Sequence, residues 1–317
     1  MRLFDRFLSR AEPPPPWAAF MSAADFARFV EVVEAECAGA GRSCRVDRAA
    51  GIAYVDYGLG EEPSACGLQN VAQLCGRNPA KQWPEIVKDH FTRLSQIVSE
   101  AEKLETLGDE FEEIRPLLKV RLYPPDYPVD KCVYERPAED LVACLVFDLP
   151  ESVVAVAPEV AAKWPIPREE LFRIGMANVR GEEGIQRQEH DVGDGCRIHS
   201  LTGDSFFVAS QALIIEDFLP NPIPEMGALI AIPHRHMVIF HPILDATCVT
   251  ALNRMLPMAK GIFDEGPGSV SPSVYWWREA AWWHDGQFTR FPVTYSGRKM
   301  NVEIPPEFAA KVLDRVA

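Results

Sequence analysis

The sequence predicts an α+β fold, with antiparallel sheets and flanking helices. Three observations lead there. Short alternating pieces such as "CRVD", "IAYVDY" and "SACGLQ" follow one another with only turn segments, "RAAG" and "GLGEEP", between them, as in a meander. Runs at helical spacing stand apart from these pieces, the longest from Trp83 to Leu104. The regular strand-helix-strand alternation of a doubly wound sheet is missing.

The elements follow in order. "RLFDRFLSR" forms one or two helical turns that stop before Pro13–Pro16, a polyproline spacer. Residues 1–19 thus read as an N-terminal arm, either a docking arm or a frayed terminus. Ser22 with Asp25 three residues on resembles a capping box, and Phe26, Phe29, Val30, Val33 and Cys37 share the face of the helix it opens. Gly39 and Gly41 end that helix, and the three-stranded meander follows. After Pro79 and Pro84 comes the long amphipathic helix, with His90 inside its apolar stripe and read as a core histidine.

"LKVRLYP" reads as a strand, "PDYPVDK" as a loop, and "DLVACLVFDL" with "SVVAVAP" as a hairpin around Pro150–Glu151. Pro167 suits the first turn of a helix carrying Leu171, Ile174 and Val179, with Glu169 and Glu170 at its positive end. Strands are expected at "GIQRQEH", "GCRIHSL" and "DSFFVA", then a helix at "SQALIIEDFL" and strands at "ALIAIP" and "HMVIFHP". A helix from Asp245 to Ala259 is expected to kink or split near Pro257. "SVYWWREAAWW", "FTRFPVT" and a short helix from Pro305 complete the chain. The order helix, three strands, helix, two strands, helix is met twice, which suggests two similar lobes, 20–165 and 166–317, sharing the helix at 167–180.

Composition narrows the function. With 47% hydrophobic and 25% charged residues over 317 positions, the chain is an ordinary globular protein. Its net charge of −14 repels phosphate backbones and anionic lipid, so nucleic acid is not expected as a partner and a basic protein is. Eight scattered cysteines without a C-x-x-C pair read as buried apolar groups in a reducing, cytoplasmic compartment. No run is long enough for a membrane helix, and the apolar stretch at the start is too short for a signal peptide.

"IAIPHRHMVIFHP" holds His234, His236 and His241, three of the seven histidines. Pro233 suits the first position of a turn, which places His234 and Arg235 in the bend and His236 at the start of the return strand. Strand parity then points His236 and His241 to opposite faces, so no metal site is expected. "RQEHDVGDGCRIH" offers Glu189, His190, Asp191, Asp194, Cys196 and His199, and Cys196 with His199 has the vocabulary of a thiolate–imidazole pair. Their separation of three along a strand sets them on opposite faces, and a solvated hairpin is the expected reading. Trp276, Trp277, Trp282 and Trp283 are candidates for partner contact, for a finished core or for stacking on sugars. No nucleotide-binding, zinc-protease or nucleophile-elbow motif occurs, and no cofactor is expected.

"VFDLPESVVAVAPEVAAKWPIPREELFRIGMANVR", "GDSFFVASQAL" and "GALIAIPHRHMVIFHPI" resemble the YtpQ-like family of bacterial proteins over roughly residues 115–300. The resemblance implies a bacterial cytosolic α+β protein and carries no catalytic residue over. The element order also resembles the topology of type III secretion chaperones, which bind other polypeptides. The expectation is a non-enzymatic protein-binding module, chaperone-like or immunity-like, using exposed sheet edges or His234, Arg235 and His236. The alternative is a metal-dependent or Cys/His hydrolase centred between the 189–199 and 233–236 hairpins, built from His190, Asp191, Cys196 and His199.

Overall fold

A computed structural model describes residues 13–58, 63–107, 111–149, 152–279, 288–296 and 299–316. The fold is α+β, divided into two compact units, Met1–Leu104 and Glu105–Ala317. Residues 2–10 of the N-terminal arm, Pro150–Glu151, and Trp282 with Trp283 lie outside the described residues.

In the first unit, Ser22 caps α1 (Ala23–Gly39). Its Oγ accepts from the Asp25 N–H at 3.1 Å and donates to Asp25 Oδ2 at 2.7 Å. The helix buries the face read from the sequence, Phe26 through Cys37. The meander forms as β1 (Cys44–Asp47), β2 (Ile52–Val55) and β3 (Ser64–Gly67), antiparallel throughout. After α2 (Gln69–Gly76), α3 (Trp83–Leu107) brings Trp83, Val87 and Phe91 into the same core. Just past the prolines, Trp17 packs edge-on against Phe26 and donates to the Arg48 carbonyl at 2.9 Å.

The second unit opens with α4 (Phe111–Ile114) and a four-stranded sheet of β4 (Leu118–Tyr123), β5 (Tyr134–Ala138), β6 (Leu141–Asp148) and β7 (Val153–Ala155). β6 is the centre, with β4 on one side and β5 and β7 on the other. It is buried on both faces, which is why it reads as a continuous apolar run. After α5 (Pro158–Ala161), α6 (Arg168–Arg180) packs on β4. Gly175 permits the close approach: a Cβ there would lie 3.0 Å from Val120 Cγ2 and 3.1 Å from the Lys119 backbone.

A six-stranded sheet follows, built from β8 (Gln186–Asp191), β9 (Arg197–Thr202), β10 (Ala228–His234), β11 (Met237–Pro242), β12 (Val274–Trp277) and β13 (Phe288–Arg290). Their order is β13-β12-β10-β11-β9-β8. α7 (Thr247–Glu265) covers one face, burying Ile198, Leu229, Ala231, Ile239 and Trp276. The 3-10 stretch Ala209–Phe218 packs against β10 and β11. A hairpin of β14 (Val293–Ser296) and β15 (Lys299–Val302) and a helical tail over residues 306–316 end the chain.

Four expectations are corrected. "DSFFVA" is a turn leading into the 3-10 stretch, so only two strands follow α6 and the recurring lobe order fails. The boundary lies at 104/105 rather than 165/166, because the β4–β7 strands pair with one another and α6 packs on β4 and β6. α7 is not split at Pro257, which lies inside one helix. The aromatic strand stops at Trp277.

Candidate functional site

β10 and β11 pair from Ala228↔Pro242 to Ala231↔Ile239 and resume at His234↔Met237, so β10 holds one extra residue. That bulge accommodates Pro233, which has no N–H to give to a ladder. It also moves the bend by one residue: Arg235 and His236 form the turn, and His234 still belongs to the strand.

The two neighbouring imidazoles lie 5.4 Å apart, centroid to centroid. His234 Nε2 donates to the Pro267 carbonyl at 2.7 Å, and its Nδ1 accepts from the His236 N–H at 3.2 Å. His236 Nδ1 donates to the Ser205 carbonyl at 3.0 Å, and its Nε2 accepts from Arg235 Nε at 3.1 Å. Both rings are thus neutral, with both nitrogens engaged. Burial, then the charge of Arg235, holds the His236 pKa below its ordinary value. The Arg235 backbone is tied as well: its N–H donates to Gly268 O at 2.9 Å and its carbonyl accepts from Ala209 N at 3.1 Å.

Beside the turn opens a cleft of about 520 Å³. It is lined by His234, His236 and Met237 together with Gln186 from the start of β8, Asp204 from the loop after β9 and Glu265 from the end of α7. The lining holds two carboxylates and no Lys or Arg. Gln186 begins β8, which pairs only with β9 among the described residues and is exposed at all six positions. The cleft therefore sits at the end of an open sheet edge.

The 189–199 hairpin does not join this cleft. Glu189 pairs with His199 and His190 with Ile198. His190 Nε2 bonds Ser200 Oγ at 2.8 Å, Asp191 Oδ1 accepts from the Gly193 N–H at 2.9 Å, and Arg197 donates to Glu189 at 2.8 Å. His199 stacks on Phe240 at 5.0 Å, and burial lowers its pKa. Phe240 is four residues from His236, roughly 13 Å along an extended strand, so these histidines cannot converge on one ion. Cys196 is buried in the α7 core with its thiol pKa raised by that burial, while His199 faces the opposite side of the sheet. His241 is buried, its Nδ1 donating to the Arg197 carbonyl at 2.7 Å. Among the described residues, no group of three or more His, Cys, Asp or Glu is placed to hold a metal ion.

Trp276 and Trp277 are corrected as partner contacts. They are 1% and 0% exposed, because β12 is an interior strand of the six-stranded sheet. Trp276 donates to the Met226 carbonyl at 2.8 Å and meets Phe308 edge-on.

No family model, curated protein or solved structure matches this chain.

The sequence reading missed Gln186, Asp204 and Glu265. Their spacing carries no signal, since only the order β11-β9-β8 and the course of α7 bring them to one cleft. The nearest sequence clue was the hairpin stretch itself, whose histidines do line it.

Proposed function

We propose that this chain is a non-enzymatic, cytoplasmic protein-binding module, whose contact surface combines the open edge of β8 with the acidic cleft beside Arg235 and His236. The observation that carries the reading is a fully exposed edge strand leading into a cleft charged only by Asp204 and Glu265. An extended segment can add to such an edge through main-chain hydrogen bonds, with side-chain pockets supplying selectivity. A Lys or Arg of that segment fits the two carboxylates, and the net charge of −14 steers a basic partner toward the surface. The YtpQ-like resemblance and the chaperone-like mode of binding belong to the same proposal. The hydrolase reading gains no support, because the turn histidines have both nitrogens engaged and Cys196 and His199 face apart.

The test is affinity capture from the native cell with the intact chain and with an Asp204→Asn/Glu265→Gln variant. A specific partner retained by the first and lost by the second supports the reading. Recovery of no specific partner, or equal retention by both, overturns it.

A further inference from the structure

On the same face of β4, two cations are treated differently. Lys119 is neutralised by Asp148 at 2.7 Å and Glu182 at 2.5 Å. Arg121, two residues on, has no carboxylate partner among the described residues, and its Nε is shut away from water with nothing to accept its hydrogen. Its guanidinium lies 5.0 Å from the Tyr123 ring centroid and 5.2 Å from that of Phe206. Arg235 reaches the same Phe206 ring at 5.4 Å from the β10–β11 turn. Its Nε is bonded to His236, and its terminal nitrogens have no partner among the described residues.

Two uncompensated guanidiniums therefore converge on one aromatic ring in a chain of net charge −14. Elsewhere arginines find carboxylates readily: Arg168 on Glu135, Arg180 on Asp217, Arg278 on Glu307 and Arg315 on Glu225. Burial, and then the charge of Arg121, depress the Arg235 pKa, as expected for like charges held together without a counterion. Phe206 is 42% exposed, so the ring that both guanidiniums approach is open to solvent on its other side.

We propose that Arg121, Arg235 and the exposed ring of Phe206 form a binding site for a phosphate group carried by a small molecule. Two guanidiniums match the charge of a phosphate dianion, and each offers paired N–H groups to its oxygens. Phe206 and Tyr123 hold the forks in place by cation–π contact and form an apolar wall for the rest of the ligand. The lining of the acidic cleft includes none of these three residues, and Arg235, through its bond to His236, stands between the two sites.

Inorganic phosphate serves as the probe. Calorimetric titration of the intact chain at pH 7.5, against sodium chloride of matched ionic strength, is expected to give saturable binding to one site. Arg121→Gln is expected to weaken it at least about tenfold, the scale of a charge-assisted hydrogen bond. Phe206→Glu, at an exposed position that leaves the core untouched, places a carboxylate between the guanidiniums and is expected to abolish binding with the thermal midpoint preserved. Absence of saturable binding to the wild-type chain overturns the proposal. So does unchanged affinity in Phe206→Glu, whether or not Arg121→Gln folds.

Discussion

Arg235 donates its Nε–H to the Nε2 of its own neighbour, His236, at 3.1 Å. His236 must then carry its hydrogen on Nδ1, where the Ser205 carbonyl accepts it, and protonating Nε2 would set two donors against each other. Nitrogen-15 NMR at pH 7 is expected to show His236 as the neutral Nδ1–H tautomer and His234 as the neutral Nε2–H tautomer. Arg235→Ala should let the His236 pKa rise toward its ordinary value. A charged His236 at pH 7 in the wild-type chain would contradict this account of the turn.

Gly268 sits against the same turn with φ +99°, and a Cβ there would lie 2.9 Å from Arg235 Nε and 3.1 Å from His234 Nε2. Gly268→Ala is expected to destabilise the protein by about 2 kcal/mol through backbone strain and displacement of the turn. Urea denaturation measures it. A change within about 0.5 kcal/mol, the ordinary surface value, would show that the turn is not held this tightly.

Much of the scaffold was legible in the sequence because local chemistry decides it. Ser22 and Asp25 cap their helix, and the apolar alternation of Leu118, Val120 and Leu122 marks a one-sided strand. Strand parity separated Cys196 from His199. What failed depends on tertiary context. "DSFFVA" has strand composition, yet Phe206 and Phe207 sit in a turn between the sheet and Ala209–Phe218. The aromatic run at 275–277 looked available for contact, but a strand on either side of β12 and α7 over one face bury it. The bend slipped by one residue because a bulge cannot be read from the Pro-His step alone. Asp204 and Glu265 line one cleft only through sheet order and the course of α7, which no local pattern encodes.

Acid sensitivity follows from the buried and half-buried histidines. Burial lowers the His90 pKa from 6.5 to about 4, and His199, His236 and His241 shift in the same direction. The unfolded chain therefore binds more protons than the folded one between about pH 6.5 and 4. Stability is full above that window and falls as pH drops through it, by up to about 3 kcal/mol from His90. Denaturation midpoints across pH 4–7 should fall on acidification, less steeply in His90→Leu. An identical slope in that variant would remove His90 from the explanation.

Thiol chemistry separates a buried core group from a nucleophile at Cys196. Burial pushes Cys37 and Cys75 up to about 12 and Cys248 to about 11, and raises Cys196 as well. An aromatic disulfide reagent at pH 8 should label the native chain slowly and all eight cysteines quickly in denaturant. Rapid native labelling of Cys196 would revive the thiol-hydrolase reading.

Hydrogen exchange, followed with and without a captured partner, tests the central claim most directly. The account expects added protection along Gln186–Asp191 and at the Arg235–His236 turn, since an incoming strand takes up the free edge of β8. Protection confined to other surfaces, with β8 exchanging as in the free chain, would contradict it.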